Sequence, residues 1–159
     1  MNKNIVSTII KRCLGYKKGE KFLIVCDYKL RALAYGFFKC ALSLGIETML
    51  LQMKPRKMHG EEPPKAITEA LKEADLAILF TSMSLSHTKA RKIATSKYGT
   101  RIASLPGVTE AILKRSIILD YSALRKKVAK VAKSLTRGMT LEIRTKKGYP
   151  HPAWGKDTP

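Results

Sequence analysis

Residues 75–107 read DLAILFTSMSLSHTKARKIATSKYGTRIASLPG. The apolar run from Asp75 to Thr81 has the length of a strand, and the hydroxyl-rich turn Ser82-Met83-Ser84-Leu85-Ser86 breaks it. A basic helix to about Tyr98 follows. Gly99 stops it, because glycine accepts the left-handed conformation that ends helices. Thr100 to Leu105 is a second apolar run, and Pro106-Gly107 ends it. Strand, helix and strand in that order make one β-α-β unit with parallel strands.

Working outward, the same unit repeats. Upstream, Lys21 to Asp27 is a nearly continuous apolar run, as expected of a central strand covered on both faces. Leu33, Phe37, Ala41 and Leu44 then form one stripe of a helix over about Leu30 to Leu44, stopped by Gly45. Ile46 to Met53 is the next strand. Pro63 and Pro64 open a helix whose apolar side is Ile67, Ala70 and Leu71. Ile5, Ile9, Ile10 and Leu14 predict a first helix over Asn4 to Leu14. Downstream, Thr109 caps a short helix through Arg115, a longer helix runs from Asp120 to Arg137, and Met139 to Thr145 alternates like an edge strand. The expected fold is an α/β three-layer sandwich with a mostly parallel, Rossmann-like sheet, helices on both faces, and strand order near 2-1-3-4. Residues 1–147 make this domain, and 148–159 form an irregular tail with no periodicity.

The 159 residues fit one domain. No apolar run approaches the ~20 residues of a membrane span, and the N-terminus lacks a signal-peptide cleavage pattern, so a cytoplasmic protein is expected. Cys13, Cys26 and Cys40 are scattered and odd in number, which argues against a disulfide framework or a zinc ribbon. Lys and Arg total 31 against 12 Asp and Glu, a net charge of +19. Such an excess attracts nucleic acid, another polyanion or acidic membrane surfaces, but a solvated basic surface explains it equally. The face Lys126, Lys130, Lys133 and Arg137 has no aromatics interleaved, as base stacking needs.

The order 2-1-3-4 puts the topological switch between strands one and three, so their carboxyl ends flank a crevice. Asp27 and Tyr28 lie on one side, and Thr81, Ser82, Ser84, Ser86, His87 and Thr88 on the other. That hydroxyl turn opens a helix carrying Lys89, Arg91 and Lys92, which suits a phosphate or carboxylate. Serines at a helix start also serve as simple caps. Neither GxGxxG nor GxxxxGK[ST] occurs. His59, His87 and His151 are far apart with no HExxH, and no GxSxG elbow appears, so no metal-ligating or catalytic residue is assigned. His59 beside Glu61 and Glu62 offers at most a weak metal contact, against the plainer reading of a polar loop.

Four phrases stand in register: KKGEKFLIV at Lys17 to Val25, MHGEEPPKAI at Met58 to Ile67, TSMSLSHTKAR at Thr81 to Arg91, and RIASLPGVTEAIL at Arg101 to Leu113. Together they resemble the N-terminal half of the thermophilic metallo-aminopeptidases, the leucyl aminopeptidase group; a dihydroxypyridine dioxygenase-like branch shares parts of the pattern. The resemblance spans roughly residues 5 to 147. It implies a two-domain enzyme in which divalent metal ions, held by glutamates, histidines and an aspartate of a C-terminal domain, support removal of N-terminal residues from peptides. It carries no catalytic residue onto this chain, whose YPHPAWGKDTP after Gly148 departs from the family. The chain is therefore expected to be a truncated or free-standing non-catalytic domain, or half of a split enzyme, with homo-oligomerisation or a C-terminal catalytic domain as candidate partners. The alternative is a polyanion or nucleic-acid binding module.

Overall fold

Every residue of β1 (Phe22–Asp27) is buried, and so is every residue of β3 (Leu76–Phe80). This follows from position: in the computed structural model, which describes residues 1–117, 121–138 and 141, these two strands are the inner pair of a four-stranded sheet. β2 (Thr48–Met53) and β4 (Arg101–Ser104) are its edges, in the order β2-β1-β3-β4, all parallel. The register pairs Asp27 with Met53, Cys26 with Phe80 and Leu79 with Ser104, so the carboxyl ends of all four strands lie on one side. The sandwich and its strand order are those the periodicity predicts.

The pleat sends alternate side chains to opposite faces. Phe22, Ile24, Cys26, Leu76, Ile78 and Phe80 meet α2 (Arg31–Ser43), α1 (Lys3–Thr8) and α5 (Glu110–Ile117) in one core. Leu23, Val25, Ala77 and Leu79 meet α3 (Lys65–Glu73) and α4 (Lys89–Tyr98) in the other. Ala34 joins Phe37 and Ala41 on the buried side of α2, whereas Leu33 and Leu44 are only partly buried. Pro64 takes the N-cap position of α3 and does not enter its first turn. Gly99 ends α4 with φ 74°, the left-handed value its position predicts.

The first helix departs from expectation. After Thr8 the chain widens into a π-helical segment, Ile9–Cys13, and Leu14 donates to the Ile9 carbonyl at 2.9 Å, five residues back. The wider turn buries Ile5, Val6, Ile9, Ile10 and Leu14 together, which a uniform 3.6-residue period does not do as well. Cys26 is buried, and burial together with the Asp27 charge pushes its thiol up to about 11, so it packs as a small apolar side chain.

Arg101, at the start of the edge strand β4, donates to the Gly15 carbonyl at 2.9 Å and to Glu20 Oε2 at 2.6 Å. Burial alone raises the Glu20 carboxyl, but the Lys17 N–H and Arg101 outweigh it and bring it below the ordinary value of 4.5. A carboxyl lowered by folding adds stability that is present above its unfolded value and disappears as pH falls through its folded value. Acid unfolding followed by circular dichroism should therefore lose this increment below about pH 4.5. Glu20→Gln should narrow the difference in stability between pH 7 and pH 4; an unchanged difference would remove the clamp from the acid response.

The chain divides into two units, Met1–Ile118 and Leu119–Pro159. The second contains α6 (Tyr121–Arg137), whose apolar stripe Leu124, Val128, Val131 and Leu135 is exposed. The strand predicted over Met139 to Thr145 and the tail lie, apart from Leu141, outside the described residues. Among the described residues, no helix is long and apolar enough to cross a membrane.

Candidate ligand crevice at the carboxyl edge of the sheet

β1 ends on Asp27, which is wholly buried, because strand pairing carries the chain inside the sheet until the turn into α2 begins. A buried carboxylate needs donors on both oxygens. Oδ1 accepts the N–H groups of Lys29 at 3.0 Å and Leu30 at 3.3 Å. Oδ2 accepts the Ser82 N–H at 2.5 Å and its hydroxyl at 2.7 Å. Asp27 thus caps the turn into α2 and ties the ends of β1 and β3 across the topological switch. Tyr28, next in the chain, is exposed.

The hydroxyl turn is built from its own side chains and from the loop ahead of α3. Thr81 donates its hydroxyl to the Met83 carbonyl at 2.7 Å. The Ser84 and Ser86 hydroxyls lie 3.0 Å apart, and the Ser86 N–H donates to Ser84 Oγ at 3.2 Å. His59 Nδ1 accepts the Ser84 N–H at 2.9 Å, while the Gly60 N–H donates to the Ser84 carbonyl at 2.8 Å. His87 is exposed on the turn, and Arg91 is partly buried with Nε enclosed and unpartnered.

An α-helix leaves its first N–H groups without intrahelical acceptors, so the account of α4 decides what the turn offers a ligand. Thr88 is its N-cap and accepts the Arg91 N–H at 3.2 Å. Glu62 supplies the remainder: Oε1 accepts from Lys89 at 2.6 Å and Oε2 from Ala90 at 3.1 Å. The anion at this positive helix end is the protein's own carboxylate. Glu61 holds the same loop in shape, accepting the Lys57 N–H at 2.5 Å and pairing with Arg56 at 3.5 Å.

The structure therefore gathers Asp27, Thr81, Ser82, Ser84, Ser86, Thr88 and the backbone of Arg91 into one hydrogen-bonded edge, with His87 at its exposed side. It adds His59 and Glu62, which the sequence offered as a weak metal contact or a plain polar loop. Glu62 lies 27 residues from its partner Lys89 and shares no periodicity with it, so only its acidic character ahead of two prolines marked it. In this loop His59 Nδ1 and the Glu61 and Glu62 carboxylates accept hydrogen bonds from the protein's own backbone. Among the described residues no three His, Cys, Asp or Glu side chains gather as they do around a metal.

Glu62→Ala should cost about 1–2 kcal/mol, the usual scale for losing a helix cap and stranding its donors. It should also open the Lys89 and Ala90 N–H groups. Titration with inorganic phosphate should then move those amide resonances in the variant and leave them still in the unaltered protein; equal shifts in both would show that Glu62 does not hold the position.

A second cleft lies beside this edge. It has a volume of about 260 Å³ and is lined by Cys26, Arg31, Ala32, Tyr35, Leu50 and Gln52, between α2 and the edge strand β2.

No protein-family model matches the chain, and no curated protein matches it. Among solved structures, wild-type AmpT from Thermus thermophilus is similar with a TM-score of 0.51 at 12% sequence identity. The match takes in 93% of this chain and 57% of that one, and at this identity it establishes likeness of fold.

Proposed function

We propose that the chain is the α/β domain of a metallo-aminopeptidase-like protein, the counterpart of that family's N-terminal domain, without a metal centre of its own and inactive as a peptidase by itself. The observation that carries this reading is the likeness of fold to AmpT, which takes in nearly the whole of this chain but little more than half of that one. The four phrases at Lys17–Val25, Met58–Ile67, Thr81–Arg91 and Arg101–Leu113 carry the sequence resemblance that it extends. The use of the crevice side chains also supports it: Asp27, His59 and Glu62 are spent on holding strand ends, turn and helix start together. In this reading the domain's work is to present a rigid carboxyl edge to a catalytic partner domain, and divalent ions belong to that partner.

The purified chain should leave leucine-p-nitroanilide intact with cobalt or zinc added. Hydrolysis that depends on the metal and is lost with chelator would overturn the inactive assignment. A reading frame immediately downstream that encodes a glutamate- and histidine-bearing domain, and restores hydrolysis when co-expressed, would support the partner.

A further inference from the structure

From Tyr28 to Gly60 the chain carries Lys29, Arg31, Lys39, Lys54, Arg56 and Lys57, and Glu47 is its lone acid. The topology brings this segment together as α2, the edge strand β2 and the loop that leaves it. The cleft of about 260 Å³ lies here, between α2 and the edge strand β2 and on the other side of β1 from the β1–β3 switch. Its walls are chemically mixed. Leu50, Ala32 and Cys26 are apolar, Tyr35 contributes a ring, Gln52 an amide, and Arg31 a guanidinium. The volume falls just under the ~300–1,000 Å³ of sites for drug-sized ligands, which suits one planar ring.

The exposed side chains around it continue the pattern. Tyr35 is 52% exposed and Tyr28 54%. Lys39 Nζ sits 5.0 Å from the Tyr35 ring centroid, and the Phe38 ring lies 6.2 Å from it, so the ring is held in place with a cation alongside. Lys29, Arg31 and Lys54 are exposed. Aromatic rings among exposed cations are what single-stranded nucleic acid requires, and the basic face of α6 lacks them.

We infer that the α2–β2 edge binds single-stranded nucleic acid. One base enters the cleft against Tyr35, where the Gln52 amide reaches its hydrogen-bonding edge, and Arg31, Lys39 and Lys29 take the flanking phosphates. Duplexes are poor ligands because their bases are already stacked and cannot enter. The site is separate from the Asp27–Ser82 crevice and does not depend on the peptidase-like reading.

Fluorescence anisotropy of the full chain with labelled U12 and dT12, and with a mixed-sequence 12-base-pair duplex, tests this at several salt concentrations. Both single strands should bind more tightly than the duplex, and affinity should fall steeply with salt; tighter binding of U12 than of dT12 would identify RNA as the preferred source, and the reverse DNA. Tyr35→Leu should weaken single-strand binding about tenfold while Tyr35→Phe retains it, since stacking needs the ring and not the hydroxyl. Arg31→Gln with Lys39→Gln should lower the slope of log K against log salt by about 1–2, the scale of two lost phosphate contacts. Melting curves will report whether these exposed substitutions leave the fold intact. The proposal is overturned by any of four results: no single-strand binding at low salt, tighter binding of the duplex, loss of binding on neutralising Lys126, Lys130, Lys133 and Arg137 while Tyr35→Leu binds normally, or binding to phosphatidylserine vesicles without binding to either strand.

Discussion

Asp27→Ala is expected to destabilise the domain by about 3–5 kcal/mol, because it strands several buried donors that each cost about 1–3 kcal/mol to leave unpaired. Four donors converge on this carboxylate from two separate segments: Lys29 and Leu30 after β1, and the N–H and hydroxyl of Ser82 after β3. Alanine leaves all four facing a fully buried position, and stranded donors cost more than the bonds themselves were worth. Against a total stability of ~5–15 kcal/mol, that loss unfolds much of the population under mild denaturant. Asp27→Asn keeps the shape but turns an N–H₂ group toward donors on one side, so it should fall between alanine and the parent. Urea unfolding followed by circular dichroism measures both. A loss under about 1 kcal/mol for alanine would mean that water replaces the carboxylate and that the strand ends do not need the clamp. The same experiment bears on function. If the crevice is a rigid presenting edge, the Asp27→Asn variant should show faster amide exchange at Ser82 to Ser86 while the core of β3 keeps its protection.

Phe37→Ala should be comparably severe, about 3–5 kcal/mol. Phe37 is wholly buried on α2, with its ring 6.3 Å from that of Phe22 on β1 and 5.3 Å from that of Phe80 on β3. It is the side chain that seats α2 across the two inner strands, and both ring pairs are tilted, the arrangement in which edge meets face. Truncation removes the apolar area, both ring contacts and the support of two neighbours that have no space to collapse. Phe37→Leu retains most of the volume and should cost about 1.5 kcal/mol. Thermal melting distinguishes the two; equal effects would place the energy in ring geometry and not in volume. Phe37 does not line the cleft beside Tyr35, so Phe37→Leu should leave oligonucleotide binding unchanged once folding is corrected for.

Most of the fold was legible because its signals are local. Apolar runs of strand length, a 3.6-residue stripe and a glycine or proline at several boundaries place β1 to β4 and α2 to α6 within a few residues. The π-helical segment Ile9–Cys13 was not legible, because the isoleucines of that stretch fit either a regular or a widened turn. Packing against the sheet selects the widened one. Ala34 was missed on α2 for a related reason: a small side chain gives a weak periodic signal, yet it is buried with Phe37 and Ala41.

The candidate site divides along the same line. Composition alone marked Thr81 to Thr88 as a turn rich in hydroxyls ahead of a basic helix, and chain order alone set its carboxyl edge beside Asp27. The alternating strands and helices by themselves determined a parallel sheet, and the order expected near 2-1-3-4 is the one found. Only the tertiary structure decided what that edge is made of. Asp27 finds Ser82 at a separation of 55 residues, and Glu62 reaches the start of α4 across 27. It also decided that Tyr35, Arg31 and Gln52 border one cleft, although they come from a helix and a strand of different periods. The physical reason is that periodicity and turn chemistry act over a few residues, whereas the pairing of a buried charge with its donors is settled only when distant segments are brought together and water is removed.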